Sequence, residues 1–293
     1  MAKLLVTGAS GCLGYKLCQV AQQQRWDVCG TYAVHPITLP HGEFAQVDLC
    51  DLSALTEQID RWQPDAIIHT AAQARPAICE QYPEETYAIN VRVPQAIASI
   101  CAASKIPFVF TSTDLVFDGL QAPYSEADPV SPINVYGQQK AEAEQRVFAV
   151  YPEAVITRMP LMFGEVLDHA SSFIQPFLAT LREGKPLNLF TDEYRTPVSN
   201  TTAAQGLLLA LEKGRGEFLH LGGQERLSRY EFGLKMVEVF NLSQALIRPC
   251  SQNSVPTGAP RSPDTSMNSS KAFSLGYAPP SVQEELEALK GTI

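Results

Sequence analysis

Thr7-Gly8-Ala9-Ser10-Gly11-Cys12-Leu13-Gly14, directly after the apolar run Lys3-Leu4-Leu5-Val6, is the stretch on which the fold of this chain turns. A strand that runs into three closely spaced glycines can turn sharply into a helix and let backbone approach a phosphate. The N-terminus of that helix offers unpaired N–H groups and a partial positive charge to an anion. Gly8, Ser10, Gly11, Cys12, Leu13 and Gly14 are therefore the candidate cradle of a dinucleotide. The spacing is GxxGxxG rather than the commoner GxGxxG. A tight strand-to-helix turn with no ligand is the plainer alternative, and the place of the motif behind an opening strand weighs against it.

At 293 residues, with 45% apolar and 18% charged residues, the chain can bury one substantial core, or one large domain with a small second one. No run is long and apolar enough to span a bilayer, and the N-terminus enters a strand at once, leaving no room for a signal peptide; a cytoplasmic location is expected. The net charge of −9, with no basic stretch, argues against nucleic acid or an anionic membrane as the main partner. The seven cysteines are scattered with no CxxC pair, and the five histidines form no HxxxH or HExxH pair, so neither a disulfide framework nor a metal site is expected.

Short β-rich runs alternate with helical patterns through the first half. Strands are expected at Lys3–Thr7, Asp27–Tyr32, Glu43–Val47, Asp65–Thr70, Pro107–Ser112 and Ala154–Arg158. Helices are expected at Cys12–Arg25, Ser53–Trp62, Glu84–Ser104 and Pro132–Tyr151. This alternation predicts an α/β fold, a doubly wound, Rossmann-like parallel sheet covered on both faces. Ligands of such sheets bind beyond the carboxyl ends of the strands.

After about residue 164 the rhythm changes. Helices at Ser171–Arg182, Thr201–Glu212, Ser228–Phe240 and Val282–Lys290, a strand at Glu217–Leu221 and a Pro- and Ser-rich loop at Arg248–Ser270 are expected. They divide the chain into a dinucleotide-binding domain, residues 1–164 with 198–225 returning to it, and a smaller, discontinuous α+β substrate lobe, residues 165–197 and 226–293.

Ser131-Pro132 reads as a helix start, with Ser as N-cap and Pro at the first helical position. Tyr136 and Lys140 then share one helix face. A phenol titrates near 10, and a neighbouring ammonium lowers that value toward the working range. YxxxK pairs also occur as ordinary solvated helix face; the preceding strand is what lifts this one. It ends in Thr111-Ser112-Thr113-Asp114, and a hydroxyl there can bond a substrate carbonyl oxygen while the tyrosine delivers a proton.

With these motifs on the page, the chain resembles the extended short-chain dehydrogenase/reductases. The matching stretches are TGASGCLG (7–14), IIHTAA (67–72), Asn90 in AINV, TSTDLVFDG (111–119) and SPINVYGQQK (131–140). The last two look most like the dTDP-4-dehydrorhamnose reductase branch, with STDYVFDG and SPxNVYGxTK. That branch also includes the regulatory β subunit of methionine adenosyltransferase, which RMPLMFGEV (158–166), GGQERLSRYEF (222–232) and APRSPDTSMNSSK (259–271) resemble at least as closely.

The resemblance implies an NAD(P)-dependent oxidoreductase acting on a nucleotide-activated 4-keto-6-deoxy sugar. By position it makes Thr113 the hydroxyl on the substrate carbonyl with Ser112 beside it, Tyr136 the proton donor, and Lys140 the residue that tunes it and holds the nicotinamide ribose. Tyr32, Asp48 and Leu49 would flank the adenosine, and Ala71 and Ala72 would line the cofactor trough. Asn90 would brace that trough, and Met159 and Pro160 would face the nicotinamide. Asp114, Arg195 and Arg261 are the expected substrate-facing charges, the arginines meeting a diphosphate. The branch also admits a homodimer.

Three departures bear on function. The second strand ends in Thr31-Tyr32-Ala33-Val34-His35 with no carboxylate to hold a ribose 2′-hydroxyl, which favours NADP(H) over NAD(H). Leu115 replaces the glutamate that sugar-nucleotide dehydratases use as a base, so dehydration is not expected. The loop Gln73–Glu80 differs from the AxTAVDKAE of the rhamnose-pathway reductases. Two alternatives stand beside a reductase: an NADP-binding regulatory subunit of a partner enzyme, and a sugar-nucleotide 4-epimerase, which the acid-free second strand disfavours.

Overall fold

Continuous apolar runs in the first half leave no polar side to face water, so these strands must be covered on both faces. The computed structural model describes residues 1–168, 170, 172–256 and 258–293 and shows how they are covered. Strand β1 (Lys3–Thr7) leads into helix α1 (Cys12–Gln23), followed by β2 (Asp27–Tyr32), β3 (Gly42–Gln46), α2 (Leu52–Trp62) and β4 (Ala66–His69). Helices α3 (Pro76–Gln81), α4 (Pro83–Tyr87) and α5 (Val93–Ser104) lead to β5 (Phe108–Thr113), α6 (Val135–Val150) and β6 (Val155–Met159).

The second half adds the short strand β7 (Met162–Phe163), α7 (Ile174–Arg182), β8 (Leu187–Phe190), β9 (Tyr194–Arg195) and β10 (Val198–Ser199). Then come α8 (Asn200–Lys213), β11 (Phe218–His220), β12 (Leu227–Ser228), α9 (Arg229–Val239), β13 (Ile247–Cys250), α10 (Ser270–Leu275) and α11 (Val282–Ala288).

Seven strands form one parallel sheet in the order β3-β2-β1-β4-β5-β6-β11. The order reverses between β1 and β4, which opens a crevice at their carboxyl ends. Alternate strand residues serve opposite faces. Leu4, Val6, Ile68 and Val109 pack with α1 and α8, whereas Leu5, Ile67, Phe108 and Phe110 pack with α2, α5 and α6. Each fully buried Leu or Ile here contributes about 1.5–3 kcal/mol. A third cluster gathers Phe163, Leu178, Leu189, Phe232, Met236, Ile247 and Leu286, drawn from residues beyond 162. Ala272 and Tyr277, expected in the smaller lobe, pack instead with the α1–α8 face of the main sheet.

Local chemistry moved several boundaries. The helix expected over Glu84–Ser104 is interrupted by a π-turn at Ala88–Arg92, where Val93 N–H reaches back to Ala88. Pro94 has no N–H to give to Asn90, so the regular ladder cannot pass through this point. The helix expected from Pro132 begins at Val135, and its cap is Asn134, whose side chain accepts from Gly137 N–H at 2.8 Å. Ser131 Oγ instead accepts from Asp118 N–H at 3.3 Å, and its own N–H donates to Val116 O at 2.8 Å. Helix α3 was not expected, and the 248–270 loop begins with β13, paired in parallel to β8. The expected helix start at Ser171 lies outside the described residues.

Candidate active site

The glycine turn is built by close approach. Gly8 has φ +72°, and a Cβ there would meet the Ala71 backbone at 2.8 Å, so β4's following loop lies directly on the turn. A Cβ on Gly14 would strike the Gly8 carbonyl and come within 2.9 Å of Thr70 Oγ1. Only glycine lets α1 start this near the strand ends. Gly11 is its N-cap with no side-chain cap, and its first turn carries no acid. Such an N-terminus is a site for an anion.

Tyr32, Asp48, Leu49, Ala71, Ala72, Met159 and Pro160 all follow or close strands at this same sheet edge. Asp48 Oδ1 accepts from Cys50 N–H at 2.9 Å, which turns the chain into α2. Met159 is buried in the α1–α8 core, so its side chain serves packing. Asn90 is corrected from the cofactor set. Its Oδ1 accepts from Gln73 N–H at 2.9 Å, and its Nδ2 reaches Gln73 O at 3.2 Å and Gln139 Oε1 at 2.8 Å. Its amide is used up on protein groups.

Strand β5 brings the hydroxyls to the same edge. Thr113 Oγ1 donates to Asp114 Oδ1 at 3.1 Å and accepts from Leu115 N–H at 3.2 Å, and it lies close enough to the Tyr136 phenol to favour its ionised form. Ser112 Oγ is buried with no hydrogen-bond partner among the described residues. A buried hydroxyl left unpaired in the protein is one that a ligand can complete. Gly137 is explained by packing: a Cβ there would collide with the Leu115 carbonyl, so only glycine lets α6 rest on the end of β5.

Tyr136 and Lys140 are each shifted chiefly by burial. Burial pushes the Tyr136 phenol above its ordinary range, Asp114 and Cys79 add to the shift, and only the Thr113 hydrogen bond opposes it. Lys140 is 1% exposed, and its Nζ sits 4.1 Å from the centre of the Phe110 ring. Burial lowers its pKa to about 7, against the pull of Glu144. The pair lies on one helix face, but the ammonium is spent on an aromatic ring.

Asp114 and Arg195, expected to face substrate, face each other. They form a buried ion pair at 3.4 Å, and Asp114 also accepts from Thr265 Oγ1 at 2.7 Å. The Arg195 guanidinium further bonds Tyr194 O at 2.6 Å and Ser262 O at 3.1 Å. Arg261 keeps a half-exposed side chain, with Nη1 on Glu193 Oε2 at 2.8 Å and its guanidinium over Phe190. It lines a polar hollow formed by residues 252–256 and 259–261.

Sequence reasoning passed over three residues. Glu193 is buried and gathers Arg229 at 2.8 Å, Arg261 at 2.8 Å and Arg195 at 3.7 Å. Burial would raise its pKa, but the guanidiniums of Arg229, Arg195 and Arg261 together hold it at about 2. Arg229 opens α9, and its Nη1 finds no partner among the described residues. His69 closes β4 with Nδ1 2.6 Å from Thr7 Oγ1; burial, with Lys140 nearby, takes its pKa down to about 3. A histidine ending a wholly apolar strand was the available signal.

The fold thus brings a glycine-rich turn, a tyrosine, a lysine and strand-end hydroxyls to the carboxyl ends of one parallel sheet. The RmlD substrate binding domain family matches residues 2–291. The chain belongs to that family. Its seven-stranded parallel sheet with helices on both faces is the Rossmann-like fold of the extended short-chain dehydrogenase/reductases. The probable low-salt glycan biosynthesis reductase Agl14 of Haloferax volcanii is 32% identical over 289 residues, 97% of this chain and 96% of that one. Methionine adenosyltransferase 2 subunit beta of Rattus norvegicus is 31% identical over 283 residues, 94% of this chain and 82% of the relative.

Among solved structures, a hypothetical dTDP-4-dehydrorhamnose reductase from Sulfolobus tokodaii superposes with a TM-score of 0.82 at 33% identity, covering 94% of both chains. A dTDP-4-dehydrorhamnose reductase from Bacillus anthracis in complex with NADP gives a TM-score of 0.87 at 22% identity and 99% coverage of both, which is a likeness of fold. No described helix is long and apolar enough to cross a membrane.

Proposed function

We propose that the protein reduces the keto group of a nucleotide-activated 4-keto-6-deoxy sugar, with NADP(H) preferred over NAD(H). The observation that carries this reading is the meeting of Tyr136, Thr113 and the unpartnered Ser112 at the sheet edge that also bears the glycine cradle. Two features support a dinucleotide there: Gly8 and Gly14 are packed so closely against Ala71 and the Gly8 carbonyl that the turn stays tight, and α1 starts without a capping side chain. Gly8, Gly11, Cys12, Leu13 and Gly14 would hold the pyrophosphate, and Lys140 the ribose next to the nicotinamide.

A bound NADP(H) would supply the hydride. Ser112 Oγ and Thr113 Oγ1 orient and polarise the substrate oxygen, and Tyr136 Oη gives it a proton. Lys140, one helical turn from Tyr136, would lower the cost of the phenolate. Arg261 is the half-exposed cation that can meet the diphosphate. The lack of a carboxylate in Thr31–His35 supports the coenzyme preference, because nothing there repels a 2′-phosphate.

The test is NADPH oxidation against a panel of dTDP-, UDP- and GDP-linked 4-keto-6-deoxy sugars. Turnover with one of them, reduced by about two to four orders of magnitude in Tyr136→Phe at unchanged NADPH affinity, is the expected result. Parental turnover in Tyr136→Phe removes the assigned proton donor. The likeness to methionine adenosyltransferase 2 subunit beta supports a second reading, a regulatory subunit that binds NADP(H) and a partner enzyme. No turnover with any sugar, together with a stoichiometric complex with a methionine adenosyltransferase catalytic subunit, favours it.

A further inference from the structure

We infer that Gln139 is a positioning residue that ties the helix bearing Tyr136 and Lys140 to the coenzyme cradle. It is buried on α6, one residue before Lys140, where the pattern SPxNVYGxTK carries a threonine. A threonine offers one hydroxyl; a glutamine reaches farther, with one acceptor oxygen and two donors.

Those groups are committed in two directions. Gln139 Nε2 donates to Pro83 O at 2.9 Å and to Thr86 Oγ1 at 3.0 Å, which holds α4. Its Oε1 accepts from Asn90 Nδ2 at 2.8 Å. Asn90, on the π-turn, then clamps Gln73 through both backbone groups, at 2.9 Å and 3.2 Å. Two residues earlier, Ala71 lies against the Gly8 turn so closely that a Cβ on Gly8 would come within 2.8 Å of its backbone. A continuous run of contacts therefore leads from α6 to the pyrophosphate cradle.

Helix α6 has a second tether, Glu80 Oε1 accepting from Val135 N–H at 2.9 Å, so loss of Gln139 leaves the helix in place. What loosens is the Gln73 loop. Without Gln139, Asn90 loses the partner that orients its amide and can rotate away from the Gln73 backbone.

The inference rests on the proposed roles of Tyr136 and Lys140, and its test separates the two. Amide hydrogen exchange is followed in the full-length protein, alongside NADPH affinity by fluorescence and turnover with any sugar the parent accepts. In Gln139→Leu, exchange at Gln73 should rise about tenfold or more while β1 amides stay protected, and NADPH should bind several-fold more weakly. Turnover should fall mainly in kcat.

Gln139→Glu supplies the discriminating arm. A protonated carboxyl can accept from Asn90 and donate to Pro83 O, whereas the ionised form cannot donate. Either form keeps the acceptor for Asn90, so Gln73 protection, corrected for intrinsic exchange, should stay near the parent's, while the amides of α4 lose protection as pH rises and the donor to Pro83 O is lost. A side chain that merely filled space would show no such pH dependence. Unchanged Gln73 exchange in Gln139→Leu, or pH-independent protection of α4 in Gln139→Glu, overturns the inference. Should the parent reduce no sugar, the reductase reading falls alone, because exchange and NADPH affinity still report the tie.

Discussion

Lys140 Nζ rests 4.1 Å from the centre of the Phe110 ring, in a place with almost no access to water. The ring face returns part of the hydration the ammonium has lost. It does not return all of it: burial takes the pKa down to about 7, with Glu144 opposing the fall. Burial of this ammonium is a cost to stability in a group that stands one helical turn from Tyr136.

Lys140→Met should therefore stabilise the ligand-free protein at neutral pH. The unfolded chain keeps this proton up to about 10.5, and the folded chain releases it near 7. Over that window the unfolded state binds more protons, so parental stability rises with pH from about 7 and is lost as pH falls through it. Urea unfolding across pH 7–10 should show this slope in the parent, and a higher, flatter profile in Lys140→Met. Equal slopes would contradict the lowered pKa of the buried ammonium.

Glu193→Gln should destabilise strongly. It leaves Arg229 and Arg261, each at 2.8 Å, without their counter-ion, a loss of about 3–5 kcal/mol. The carboxyl pKa is depressed from 4.5 to about 2, so its contribution is complete above 4.5 and drains away as pH falls toward 2. Acid unfolding monitored by circular dichroism should be shallower in the variant across that range.

Gly14→Ala forces a methyl group onto the Gly8 carbonyl and Thr70 Oγ1. NADPH affinity, read by fluorescence titration, should fall about tenfold or more. Gly184→Ala is the control, since it has φ +72° but nothing within 4 Å of the added carbon. It should lose about 1 kcal/mol of stability and bind NADPH as the parent does.

Ser112→Ala and Thr113→Val should separate ligand contacts from structural ones. Ser112 Oγ has no partner among the described residues, so its loss should leave the thermal midpoint unchanged or raised while turnover drops about tenfold. Thr113→Val breaks the bonds to Asp114 and Leu115 N–H and should cost about 1–3 kcal/mol as well as activity. A thermal midpoint lowered by Ser112→Ala would show that its hydroxyl is satisfied within the protein.

Strand positions were readable in the chain because apolar runs and glycine turns are local signals. The helix breaks were less so. Pro94 was visible, yet its effect depended on Asn90, four residues back, having a use in Gln73 for a side chain aimed by a π-turn. The start of α6 was misplaced because Ser131, a good cap by type, has its hydroxyl engaged by Asp118 N–H from another segment. Arg195 and Arg261 looked alike as free cations, and only Arg261 keeps a half-exposed side chain.

From residue order alone came the parallel sheet, the glycine cradle, and the Tyr136–Lys140 spacing on one helix face, because each depends on neighbours within a few turns of chain. The state of every charge was decided in three dimensions. Glu193 collects its three arginines from segments as far as 68 residues away, and Asp114 finds Thr265 across 151. Ionisation depends on what lies beside a group and how much water reaches it, and chain order encodes neither until the fold has closed.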